Sequence, residues 1–441
     1  MHITNSEKYK QYHSDSGFTL LSVEFWLHVL LFGSIGAITW AIRGTNGWGG
    51  IDGTILPGMA WGILWYYCCK RKGVSVGGLP LWLGLGIAIG GEWGYGQYVS
   101  WIRGMFQVAE GSIDVNPILG WTWFFICGIA WGAPGAVALG WALSLSHSWR
   151  NKESGPLPIL MMRWSLRIII PIAFGYLGYY LIQWCPQYFF PHYDTGIYNV
   201  IPLDDNQDRT IFTNTQNFVV VMWFLGAFLV ALAQRDKATL MSCIVIGFGF
   251  GFGFALSALW CMGYVYAPAY IDWWKMWEIQ AGFNLGFLYV VILYWALKHA
   301  PEKSTQATPP TWDRIAILLT TFLFWGTALW GVSVTAAGLL ELINAETNQY
   351  AWPTPRKWIF AITMVPLLML MLREILRLRN GWQSNHTLRT QRMSMLIVGT
   401  TAIGAISIWP TEIGVLYALL CCTALYALNT LNTHWDRKDR G

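Results

Sequence analysis

The sequence predicts an all-α polytopic membrane protein, a bundle of about twelve transmembrane helices with both termini cytoplasmic. Three observations carry that expectation. The 441 residues are 55% hydrophobic and only 12% charged, whereas a soluble domain carries about 25% charged residues. Mean hydropathy is +0.40. Apolar stretches of bilayer length recur along the chain, and Lys and Arg alternate between their ends.

Residues 1–20 are polar, with Lys8, Lys10 and Asp15, and read as a cytoplasmic tail without a cleavable signal. The membrane domain is expected over 21–430, with 21–234 and 239–430 as candidate halves. A spanning helix needs about 20 apolar residues. The expected spans are 21–42, 53–70, 79–102, 117–145, 165–186, 217–234, 239–263, 274–297, 312–333, 357–378, 392–409 and 412–430. Residues 431–441 form a basic cytoplasmic tail with Arg437, Lys438 and Arg440. With the N-terminus inside, 22 of the 28 Lys and Arg residues fall on the inner side, as the positive-inside rule requires. Arg43, Arg103, Arg209, Lys275, Arg356 and Lys357 remain outside. The outer loops are long and rich in Trp, Tyr and Asn. Loops held by a rigid scaffold often carry function, so the working face is expected outside.

Glycine spacing predicts close helix packing. Gly247 and Gly251 share one face of the seventh span, and Gly249 and Gly253 lie roughly opposite. Gly86, Gly90 and Gly94 repeat the spacing in the third span, and Gly58 and Gly62 in the second. Weak internal echoes also occur. Ile42-Arg43-Gly44 returns as Ile102-Arg103-Gly104, and Ala60-Trp61-Gly62 returns as Ala130-Trp131-Gly132. Transporters are often built from internal repeats.

The stretch from Trp40 to Gly62 concentrates polar residues among glycines. Arg43, Asn46, Trp48 and Asp52 stand between two apolar segments. Charges beside a bilayer need partners. Glu92 and Trp93 fall inside the third span, Arg103 at its outer end. Asp272, Trp274, Lys275, Glu278 and Asn284 open the eighth. These twelve residues are expected to line one outward-facing cavity, with Glu92 or Glu278 as a coupling carboxylate. An indole suits the apolar face of a sugar ring or an organic cation; interface belts account for many of the 29 Trp residues. Arg43, Arg103, Asp52 and Asp272 also fit a plain interfacial role near helix ends.

Several chemistries lack their signatures. There is no His-Glu-x-x-His, Gly-x-Ser-x-Gly, phosphate-binding loop or Cys-x-x-Cys. No metal and no cofactor are expected. The eight cysteines show no ligand spacing, although Cys185 and Cys261 fall near the same face and are a candidate pair. The Asp-Arg/Lys-x-Gly-Arg pattern of the major facilitator family is missing from Lys70-Arg71-Lys72-Gly73-Val74-Ser75. Two functions fit these observations. One is a transporter or permease for a small polar solute, sugar-like among the options. The other is a membrane-embedded enzyme acting outside on a glycan or lipid-linked substrate. The expected partners are the lipid bilayer and the solute or glycan, not nucleic acid. The expected location is a bacterial cytoplasmic (inner) membrane.

Overall fold

The computed structural model describes residues 22–43, 51–71, 78–109, 111–145, 156–199, 205–267, 271–299 and 411–440, with isolated positions between 315 and 373. These residues form a helical membrane protein, with seven helices long and apolar enough to cross a membrane. In chain order the helices are α1 (Val23–Arg43), α2 (Ile51–Arg71), α3 (Leu79–Gly90), α4 (Tyr98–Trp101), α5 (Pro117–Leu145) and α6 (Leu157–Trp184). They continue as α7 (Asp205–Ala233), α8 (Lys237–Tyr266), α9 (Trp273–His299) and α10 (Thr411–Arg440). The expected spans 312–333, 357–378 and 392–409 lie almost wholly outside the described residues.

α5 coincides with its expected span. α6 and α7 begin earlier than expected, at Leu157 and Asp205. Hydropathy marks the part of a helix that sits in lipid, and the helix itself continues into the polar stretch around Gln207 and Thr210. α8 is a composite. A π-helical stretch, Cys243–Phe248, joins two α-helical pieces, and a 3-10 stretch, Ala258–Met262, follows. Asp236 caps its start, accepting from the Thr239 amide at 3.1 Å.

The largest departure is the third expected span. α3 ends at Gly90 after 12 residues, about 18 Å of rise against a hydrocarbon core of about 30 Å. Residues 91–97 run as turn and irregular backbone, and α4 is one turn. A hairpin follows, β1 (Met105–Val108) pairing antiparallel with β2 (Gly111–Asp114). The apolar run hid this break. Gly90, Gly91, Gly94 and Gly96 weaken helix propensity just where the chain unwinds.

The hairpin marks one end of the bundle. The turns after α6 pack on it: the His192 ring is 2.7 Å from the Asp114 carbonyl, and Phe106 meets the rings of His192 and Tyr198. Tyr198 donates to the Pro191 carbonyl, and burial pushes its phenol pKa up. In the bundle, α1 packs on α2, α9 and α10, and α5 packs on α3, α7 and α8. α6 packs on α7 and otherwise presents Ile168, Ile169, Leu177 and Tyr180 outward.

Glycine does bring helices together, and the tightest meeting is between α1 and α9. A Cβ on Gly282 would collide with the Gly36 carbonyl, and one on Gly36 with that of Gly282. In α8 the two glycine faces are unequal. A Cβ on Gly251 would stand 2.8 Å from Ile129, whereas one on Gly249 would meet only a Leu288 methyl at 3.2 Å. The α8 backbone is itself closely approached from α5: a Cβ on Gly128 would stand 2.7 Å from the Phe250 carbonyl oxygen and 2.9 Å from the Gly251 Cα, and one on Gly132 2.9 Å from the Ile246 carbonyl oxygen. Gly282→Ala should therefore destabilise the protein by about 1–3 kcal/mol, while Gly249→Ala changes little because the Leu288 side chain yields. Thermal melting in detergent checks this; equal melting of both variants would refute it. The eight thiols are free, so the candidate Cys185–Cys261 disulfide is not formed.

Candidate functional site

The first turns of α9 carry the densest polar group at the hairpin end. Asp272 stands just before α9 and accepts from the Lys275 amide at 3.1 Å, a cap on the helix N-terminus. Lys275 and Glu278 are both buried, with Nζ 2.7 Å from Oε2. The second Glu278 oxygen accepts from the Trp274 indole at 2.9 Å. A buried pair of this kind is tolerable only with well-directed bonds to its remaining atoms, and Trp274 supplies one of them. The Trp274 amide in turn donates to the Tyr264 hydroxyl at 3.2 Å. The Arg103 guanidinium lies 5.5 Å from the Tyr264 ring, within cation–π range. Arg103 also donates to the Val99 carbonyl at 3.0 Å.

The unwound segment 91–97 meets this group through Tyr95. Its ring lies 5.5 Å from Trp274 and 5.0 Å from Trp277. Backbone at membrane depth must find its hydrogen bonds within the protein, and here side chains supply them. Asn217 and Cys127 both donate to the Gly94 carbonyl, at 3.0 and 3.7 Å. Arg209 donates to the Tyr95 carbonyl at 3.1 Å. The Tyr98 hydroxyl donates to Asn214 at 2.8 Å and accepts from Asn217 at 3.2 Å. Gln97 and Gln107 exchange two bonds, 3.0 and 2.7 Å, that tie the segment to β1. The break in α3 is thus a built feature.

Comparison with family models, curated proteins and solved structures found no match. The chemistry must then be argued from the residues themselves.

Of the twelve expected site residues, the structure gathers five: Arg103, Asp272, Trp274, Lys275 and Glu278. Glu92 is a correction to the expected helix. It lies in the turn after α3, not within a helix, and its side chain is exposed. Trp93 follows it, half-buried, on the segment leading to Tyr95. Asn284 turns toward α8, donating to the Gly253 carbonyl at 2.8 Å, and so serves a helix contact. Arg43 ends α1 and Asp52 lies in the first turn of α2, but their side chains lie outside what is described. Asn46 and Trp48 lie outside the described residues.

Sequence reading missed Tyr95, Tyr98, Tyr264, Asn214 and Asn217. Asn214 and Asn217 did carry a signal, since amides three apart share a helix face. The expected start of that span at 217 assigned Asn214 to a loop. A second buried charge group was also missed, at the opposite end. Arg167 of α6 and Asp236 lie 3.0 Å apart. Ser144 of α5 stands 2.8 Å from both Asp236 oxygens, and the Thr239 hydroxyl donates to one at 2.6 Å. Arg167 also donates to Gln234 at 2.9 Å and stacks 4.6 Å from the Trp164 ring.

Proposed function

We propose that the protein is a multi-pass transporter or permease for a small polar solute. The observation that carries the reading is the interrupted α3. Its unwound backbone, held by Asn217, Cys127 and Arg209, runs past Tyr95 to the buried Lys275–Glu278 pair. Helices broken near mid-membrane, beside ionisable residues, are where transporters bind solute and coupling ion. In this reading the aromatic rings of Tyr95, Trp274 and Trp277 receive the solute. Glu278 exchanges Lys275 for a proton or a cation as the solute arrives.

The full architecture goes with the reading: about twelve spans, two halves at 21–234 and 239–430, both termini cytoplasmic, and a bacterial inner membrane. Arg163, Arg235, Lys237 and Lys298 all fall at the end away from the hairpin, which supports placing that end inside. A periplasm-dependent reporter fused after Gly441 tests the placement and should be silent. The rival reading, an enzyme on a glycan or lipid-linked substrate, draws less support. Its two acids, Glu92 and Glu278, lie on separate elements, and Glu278 is engaged by Lys275 and Trp274.

The test is transport itself. Purified protein in proteoliposomes containing a pH-sensitive dye is challenged with hexoses, polyols and amino acids. A proton gradient is used, then a sodium gradient. At least one solute should carry protons inward, or accumulate with sodium. If no solute moves under either gradient or by counterflow, the transporter reading fails.

A further inference from the structure

Basic side chains gather where α6 passes the turn between α7 and α8. Arg163 stands one turn before Arg167, on the α6 face that reaches Asp236. The Gln234 side chain donates to the Arg163 carbonyl at 3.0 Å, and Arg235 and Lys237 follow Gln234 in the chain. Arg163 is half-buried, and Arg235 and Lys237 are exposed. Among the described residues none of these three forms an ion pair. The carboxylate beside them, Asp236, is taken by Arg167, Ser144 and Thr239.

Arg235 holds a place that favours glycine. α7 ends in a Schellman turn, in which the Asp236 amide donates to the Ala231 carbonyl at 2.9 Å and the Arg235 amide to that of Leu232 at 3.1 Å. The turn needs a left-handed residue, and Arg235 supplies it at φ 54°. A side chain in that conformation costs energy that glycine would not. Strain of this kind concentrates at ligand-binding positions.

Aromatic rings mark the level of the cluster. Trp164, next to Arg163, meets Trp141 of α5 edge to face at 5.8 Å and lies 4.6 Å from the Arg167 guanidinium. Tryptophan collects at the boundary between head groups and hydrocarbon. On the hydrocarbon side of it, Leu166 of α6 and Leu229 of α7 are apolar and exposed.

We propose that this junction binds an anionic phospholipid of the inner leaflet, its phosphate held by Arg163, Arg235 and Lys237. Guanidinium forks suit phosphate oxygens, and the ammonium adds a point charge. Basic pockets between helices on this side of a membrane suit such head groups. The acyl chains run along Leu166 and Leu229. A head group without an ammonium is preferred, because Asp236 is already engaged and three cations would repel a fourth. The site uses no residue of the α9 group and stands apart from the transport reading.

The test is lipid retention by the full-length protein. Detergent micelles carry equal amounts of phosphatidylglycerol and phosphatidylcholine, and native mass spectrometry counts the lipids kept. The parent should keep phosphatidylglycerol several-fold over phosphatidylcholine. Arg235→Gly is the deciding variant. Glycine suits the left-handed turn, so this variant should melt no lower than the parent in lipid-free detergent, while its lipid preference falls several-fold. If it melts lower, Arg235→Asn, which also accepts that conformation, decides in its place. Arg163→Gln and Lys237→Gln should lower the preference too. Lys298→Gln, at an exposed basic residue of α9, should leave it unchanged. Millimolar inorganic phosphate should not displace the lipid. No preference in the parent overturns the proposal, as does an unchanged preference in the folded Arg235 variant. Equal loss in Lys298→Gln shows diffuse attraction in place of a site and overturns it as well. Displacement by inorganic phosphate overturns the lipid as the ligand.

Discussion

Asp236→Ala is expected to lower stability by about 3–5 kcal/mol. The carboxylate joins three helices: it caps α8, pairs with Arg167 of α6, and accepts from Ser144 of α5. Both partners of the ion pair are almost fully buried, at 2% and 5% side-chain exposure. Removing the carboxylate strips the guanidinium of a counter-charge 3.0 Å away and leaves the Thr239 amide without its cap. Asp236→Asn separates the two effects. Asn caps a helix as well as Asp does, so its loss should come mostly from the ion pair. Adding Arg167→Met to Asp236→Asn removes both charges and should recover part of the stability, as replaced buried pairs often do. Asp208→Ala, at an exposed carboxylate, should stay within about 0.5 kcal/mol. Thermal melting in detergent gives the order. Asp236→Ala melting with the parent protein would show that the cluster is incidental.

The membrane class was legible because hydropathy and Lys/Arg placement are properties of whole segments. α5 was found end for end because its apolar run coincides with its helical run. α3 was misread because hydropathy measures whether a residue belongs in lipid, not whether its backbone is helical. The Gly94 and Tyr95 carbonyls accept from Asn217, Cys127 and Arg209, which are 30 residues or more away in the chain. No local pattern reports such a contact. The Lys275–Glu278 pair was within reach, since residues three apart meet on a helix, and its residues were singled out. Arg167–Asp236 was not, because Arg167 counted as one of the 22 inner-side basic residues and Asp236 was not singled out. Burial is set by neighbours on other helices, and here Ser144 and Gln234 complete it. Gly36 and Gly282 were missed for the same reason: Gly33 and Gly286 accompany them on α1 and α9, but which two helices meet through these glycines is set by the fold and by neither segment alone.

Lys275→Met and Glu278→Gln are the changes that separate a structural pair from a working one. Each alone removes the charge facing the other across 2.7 Å in a buried setting, and each should destabilise by about 3–5 kcal/mol. Lys275→Met leaves Glu278 with the Trp274 indole, a neutral donor, as its partner on that side. Glu278→Gln keeps an oxygen for Trp274 but leaves the ammonium facing an amide. The double variant, Lys275→Met with Glu278→Gln, removes both charges and should recover most of the lost stability, because no ion is then buried at the start of α9. A pair that only fixed α9 would leave that variant fully active. Coupling through Glu278 predicts a different result: the double variant folds and still exchanges solute across proteoliposomes, but no solute draws protons or sodium with it. A stable double variant with gradient-driven accumulation equal to that of the parent would remove the pair from the transport site.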